Sequence, residues 1–332
     1  MFQNDLWHTM TLRFMLILLA GNLLLAGAEP ALRQMKYSSR PKPQTVLWQK
    51  DLRAKLFGTL HLTDLVTREQ AVPFAAKVMA TTRHETFTEK EIELNSTPGR
   101  RIKIILTLPH SADGPFPAVV CIHGHGGNRR VVYDSSTIYK GFATALASRN
   151  CVTISTDVGQ HDVREPGRLL MGERLWDVMR CVDYLESLAE VDRARIGCAG
   201  LSLGGEMTMW LGAMDTRLRA TVSSGFLTVM DQMEQKHCLC WKFDGLRELV
   251  DYADIYSLIA PRALQCQNGL KEGPTQFFVP IARKAMQEIN VIYADLDQSD
   301  NAALRVHEGA HEIDLPSLLA FFEKHLSVAK SR

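Results

Sequence analysis

Gly200-Leu201-Ser202-Leu203-Gly204 stands between two apolar segments of different character, and that position restricts the folds open to this chain. Residues 196–199 before it form a short, continuous apolar run, as expected of a strand covered on both faces. Residues 206–213 after it read as an apolar helix. Joining a strand to a helix in so few residues needs a very tight turn, which tolerates little beyond glycine at its flanks. Such a turn lifts the serine hydroxyl clear of the sheet. Candidate strands lie at 91–95, 103–108, 118–122, 152–155, 195–199, 220–224, 263–267 and 303–307, and several are short, nearly continuous apolar runs. Between the later ones lie helical periodicities: Leu175, Val178, Val182, Leu185 and Leu188 recur at three- and four-residue spacing, as do Leu315, Leu318, Leu319 and Phe322. Pro98-Gly99 joins the first two strands closely enough to pair them antiparallel. The rest is βαβ repetition, so the expected fold is α/β: a mostly parallel sheet of about eight strands with helices on both faces.

Composition agrees with a large enzyme-like core. The chain has 332 residues, 46% of them hydrophobic and 23% charged, with 38 Lys+Arg against 37 Asp+Glu. A net charge of +1 supplies no bulk field for nucleic acid, and no nucleic-acid partner is expected. Residues 14–26 are strongly apolar but short and interrupted by Gly21 and Asn22. With Arg13 before them and Ala26 and Ala28 after, they have the three parts of a secretory signal peptide. The expected organisation is therefore a leader at 1–28, a polar extension at 29–45 and one domain at 46–332, with an excursion at about 225–260. Translation from Met10 rather than Met1 gives the tidier leader. The expected location is secreted or periplasmic, with no stable membrane span in the mature protein. Oligomeric state is not legible.

Seven cysteines are an odd number for an exported protein. Cys121, Cys151, Cys198 and Cys266 sit in apolar runs and read as small buried hydrophobes, and Cys181 lies on a predicted helix. His237-Cys238-Leu239-Cys240 alone suggests a ligand pair. No second pair at useful spacing follows it, so a packing role in the excursion is expected. Trp176 and Trp210 are assigned to helix packing.

A serine hydroxyl needs a base to take its proton, and the base needs a carboxylate to fix its tautomer. His311 lies in the loop after the last strand, at the same sheet edge as Ser202; His307 lies nearer the strand end, where a structural bond is expected. Glu272 follows strand 263–267 and gives the order Ser202, Glu272, His311. Asp231 is the alternative acid, with Asp295 and Asp297 behind it. Oxyanion donors are expected from the Leu203 N–H and the His125 N–H, the latter in His123-Gly124-His125-Gly126-Gly127. A metal reading of His123 and His125 with Asp157 and His161 fits no standard zinc signature, and no metal or cofactor is expected.

Together these segments resemble the α/β-hydrolase superfamily, most of all its secreted bacterial branch of dienelactone hydrolases and acetyl xylan esterases. The matches are CIHGHGG at 121–127, RIGCAGLSLGG at 195–205, SSGFLTVM from Ser223, HCLCW at 237–241, ADIYSLIAPRALQCQNG at 253–269 and HEGAHE at 307–312. The resemblance implies a serine esterase that forms an acyl-enzyme without metal or organic cofactor, acting on a small ester or an acetylated carbohydrate such as xylan. It also implies an aspartate in a Gly-x-x-Asp pattern, where this chain reads Gly269-Leu270-Lys271-Glu272. Two rival readings are a peptidase on the same scaffold and a binding protein that has kept the fold with weakened catalysis.

Overall fold

The computed structural model describes residues 32–329; the expected leader and its alternative start lie outside the described residues. Nine strands form one sheet: β1 (Lys77–Arg83), β2 (Phe87–Thr97), β3 (Arg100–Pro109), β4 (Phe116–Ile122), β5 (Val152–Thr156), β6 (Val191–Leu201), β7 (Ala220–Ser224), β8 (Ala263–Gly269) and β9 (Ala302–His307). Their order is β1-β2-β3-β5-β4-β6-β7-β8-β9. The first three strands are antiparallel to their neighbours, and every later pairing is parallel. One strand more than expected is present. β1 is exposed along its whole length, so it carries no apolar run by which to recognise it.

The period of two that sorts a strand's side chains between faces is plain in β4. Ala118, Val120 and Ile122 enter one core, while Val119 and Cys121 enter the other. Five helices of twelve residues or more occur among the described residues: α1 (Lys42–Thr59), α2 (Leu170–Glu186), α3 (Leu203–Met214), α4 (Val279–Asp295) and α5 (Leu315–Leu326). The first four contribute to the larger core, and α5 packs on the opposite face with the short helix Phe142–Ala147. Trp210 is fully buried and Trp176 nearly so, both in helix packing.

Residues 225–260 leave the strand ends as a chain of short helical turns, Met230–Met233, Leu239–Trp241, Leu246–Leu249 and Tyr252–Ser257. Toward the N-terminus, Arg33 pairs with Asp254 and Glu288, and Tyr37 donates to Asp295 at 2.6 Å. Asp295 also accepts from Ser39 Oγ and the Arg40 N–H, which occupies it far from any catalytic role.

α1 buries Thr45, Trp48, Gln49, Leu52 and Leu56 on one stripe, with both leucines wholly enclosed. Truncating either to alanine should remove apolar contact and leave a cavity, at about 2–5 kcal/mol each. Urea unfolding of Leu52→Ala and Leu56→Ala measures this. A loss under about 0.5 kcal/mol, typical of surface changes, would show that α1 is not integral to the core.

Candidate active site

β6 ends at Leu201 and α3 begins at Leu203, so Ser202 alone makes the turn. Its φ of 63° and ψ of −125° are unusual for a residue with a side chain, a strain of order 1–3 kcal/mol that the surroundings must hold. They hold it by close packing. A Cβ on Gly204 would sit 2.2 Å from the Ile122 carbonyl oxygen, so α3 can cross β4 this closely only with glycine there. The Ser202 N–H donates to the Ser224 carbonyl at 3.0 Å, and the Ser202 carbonyl accepts from the Glu206 N–H at 2.9 Å. Leu203, at the first position of α3, has an N–H with no partner within the helix.

His311 faces this turn from the loop after β9. Its Nδ1 lies 3.1 Å from Glu272 Oε2, and its ring stacks on Phe277 with centroids 5.3 Å apart. A Cβ on Gly225 would come within 2.9 Å of the His311 ring, which places the imidazole against the residue after Ser224. Among the described residues Ser202 Oγ makes no hydrogen bond to His311; such bonds are often long before substrate binds. Glu272 is buried and also accepts from the Gly269 and Phe277 N–H groups, both at 3.3 Å. Three donors converge on one carboxylate and fix it toward the histidine. Asp231 instead points to solvent and pairs with Arg247, and His307 Nδ1 accepts from the Gly309 N–H.

The glycine loop after β4 lies on the other side of the serine. A Cβ on Gly124 would be 2.9 Å from Ser202 Cβ, so the residue before His125 is pressed against the nucleophile turn. His123 is fully buried, accepts at Nε2 from the Val158 N–H at 3.0 Å and lies with Nδ1 2.8 Å from the Gly124 carbonyl. Burial lowers its pKa, so it stays neutral and braces the loop. Asp157 is occupied by Arg129 at 2.7 Å. Neither is free for the metal set weighed from the sequence.

The packing role expected for the His237–Cys240 segment needs correction. Trp241 is buried and the His237 ring lies against Phe277, as packing requires. The two thiols do otherwise: Cys240 Sγ lies 3.1 Å from His125 Nε2, and Cys238 Sγ lies 3.3 Å from His161 Nε2. The second pair of candidate ligands precedes the cysteines in the chain and comes from two separate loops.

Between these groups lies a cavity of about 60 Å³, walled by Ser202, Glu206, Phe226, Met233, Cys240 and Phe277 among others. Glu206, from the first turn of α3, was not anticipated. It is buried with Oε1 unpartnered, and burial lifts its pKa to about 8 against the opposing pull of Arg174. The sequence signal was a carboxylate within an otherwise apolar helix.

This nine-stranded sheet, with a strained serine at a strand–helix turn and a carboxylate-bound histidine beside it, defines an ester hydrolase of α/β-hydrolase fold. The acetyl xylan esterase (AXE1) family model matches residues 65–233, about half of the chain, and the chain belongs to that family, a family of carboxylic ester hydrolases. YtaP of Bacillus subtilis (strain 168) is 26% identical over 220 residues, covering 58% of this chain and 72% of YtaP. Esterase EstD of Thermotoga maritima is 30% identical over 127 residues, covering 37% of this chain and 29% of EstD. A solved glucuronoyl esterase from Solibacter usitatus superposes with a TM-score of 0.66 at 15% identity, covering 90% of this chain and 97% of that one; at such identity the likeness is one of fold.

The raised Glu206 pKa carries a stability prediction. Unfolded, the carboxyl titrates near 4.3, whereas folded it holds its proton to about 8. The folded state therefore binds more protons between these values, and stability falls as pH rises through that window, then levels. Glu206→Gln should flatten the loss of Tm between pH 5 and 8, in steps of about one pH unit, relative to the wild type. Parallel Tm–pH curves for the two proteins would refute the shift.

Proposed function

We propose that this chain removes acetyl groups from acetylated carbohydrate of the xylan type, through an acyl-enzyme on Ser202. Ser202 Oγ attacks the ester carbonyl carbon and its proton passes to His311 Nε2. Glu272 holds the Nδ1–H and stabilises the imidazolium. The Leu203 and His125 N–H groups receive the developing oxyanion. The alcohol leaves with the proton from His311, and a water activated by the same histidine releases acetate. The observation that carries the reading is the 3.1 Å His311–Glu272 contact beside the strained Ser202. The small cavity at that serine supports a short acyl group, since Phe226, Met233 and Phe277 leave little room for a longer chain. One further methylene in the glutamate side chain lengthens the acid's reach relative to the aspartate the resemblance implies, and the buried Glu272 carboxylate uses it.

The proposal includes a single hydrolase domain at 46–332 and export directed by the leader at 1–28. Among the described residues no helix is long and apolar enough to cross a membrane. N-terminal sequencing of exported protein should begin near Glu29; an intact N-terminus retained in the cytoplasm would contradict the export reading.

Release of acetate from acetylated xylan and turnover of p-nitrophenyl esters test the chemistry. Acetate should be preferred over octanoate, and aminoacyl-nitroanilides should not turn over. Ser202→Ala should lower kcat by at least about 10⁴-fold and Glu272→Ala by about 10³–10⁴-fold. Asp231→Asn should leave kcat within about twofold, as expected of an exposed group paired at the surface. A large loss in Asp231→Asn with none in Glu272→Ala would overturn the acid assignment, and equal turnover of acetate and octanoate would overturn the short-acyl reading.

A further inference from the structure

His125, His161, Cys238 and Cys240 offer four ligand atoms that all lie within 4.8 Å of one another. They come from three separate segments: the glycine loop after β4, the loop after β5 and the excursion. We propose that they form a zinc site that pins the excursion to the two loops across the mouth of the cavity at Ser202.

The donor set decides the metal. Two imidazoles and two thiolates in a compact group are the S₂N₂ arrangement that suits Zn²⁺, whereas calcium and magnesium want oxygen ligands. Bonds of about 2.0–2.1 Å to nitrogen and about 2.3 Å to sulfur place tetrahedral ligand atoms roughly 3.3–3.8 Å apart. The 3.1 Å His125–Cys240 and 3.3 Å His161–Cys238 contacts are already at that scale. Only side-chain adjustments of the remaining pairs are needed, and three of the four residues are exposed and free to make them.

A second observation points the same way. Arg174 on α2 is fully buried, and its Nη1 donates to Cys240 Sγ at 3.4 Å. Its Nη2 donates to the carbonyl of Gln160, the residue before His161, and its Nε has no partner. The partners of this buried cation are thus a thiol and a main-chain carbonyl. Thiolate ligands would place negative charge beside this cation and receive the outer hydrogen bond that metal-bound sulfur uses.

Four protein ligands fill a tetrahedral zinc shell and leave no position for water, so the ion is structural and not the hydrolytic centre. Its place gives it a function all the same. His125 would bind the metal by its ring while its main-chain N–H stays directed to the oxyanion, and Cys240 is both ligand and cavity wall. Zinc would thereby hold the oxyanion loop and the acyl wall in one arrangement. This last consequence rests on the esterase reading; the metal site does not.

Cobalt titration of the reduced, tag-free full chain tests the site without reference to activity. One Co²⁺ per chain should bind with the intense visible bands of a tetrahedral ion and a thiolate-to-cobalt charge-transfer band, and one Zn²⁺ should displace it. The paired substitution Cys238→Ser with Cys240→Ser should abolish the charge-transfer band. His161→Ala, on an exposed loop, should weaken binding by more than about tenfold while the fold persists. Zinc should raise the Tm of the wild type and not of the paired variant. Absence of the tetrahedral bands in folded, reduced wild type would overturn the proposal. So would a Cys238–Cys240 disulfide in protein isolated without reductant and carrying no zinc, or undiminished metal binding in both variants. Loss of ester turnover with the cobalt bands intact would count against the esterase reading and leave the metal site standing.

Discussion

The Ile122 carbonyl and Gly204 lie so close that no side-chain carbon fits between helix and sheet, and the geometry of the site descends from that contact. Because α3 is drawn down onto β4, the chain leaving β6 must reverse within one residue, and Ser202 takes the strained conformation that results. The same closeness sets the end of β4 beside the turn, so the loop that follows it presses Gly124 against Ser202. Ser202 and the glycine loop are positioned by one backbone approach, not by two independent loops. The positive end of α3 then faces the place where an ester carbonyl would gain charge.

Much of this was legible because short, nearly continuous apolar runs mark strands covered on both faces, as in β4 and β5. β1 does not, since it buries nothing. In α1, Thr45, Trp48, Gln49, Leu52 and Leu56 keep helical spacing, yet threonine and glutamine in the stripe hide its apolar face. That Glu272 and His311 would meet was legible from chain order, because loops at the carboxyl ends of parallel strands lie together. The contact between the His125–His161 pair and the Cys238–Cys240 pair was not. Their separation along the chain reflects which strands lie side by side, a property of the whole sheet that no local spacing encodes.

Glu272 stands where the resemblance implies an aspartate, and its surroundings restrain the longer side chain. A longer side chain gains reach and loses orientation. Here the Gly269 and Phe277 N–H groups take up both carboxylate oxygens, and Phe277 also stacks on His311. Phe277 thus contacts Glu272 and His311 together and restrains the added methylene.

The pairing of Arg33 with Asp254 and Glu288, and of Tyr37 with Asp295, has a bearing on the order in which the molecule can be assembled. More than two hundred residues separate these partners along the chain. A ribosome delivers the arginine early and its acceptors late, so the beginning of the domain must wait undocked until most of the sheet exists. Closing so long a loop is entropically slow, and each ion pair can form only on a surface that folding has already built. The first described segment to be synthesised is therefore among the last to settle, and it fastens the excursion and α4 once they are in place.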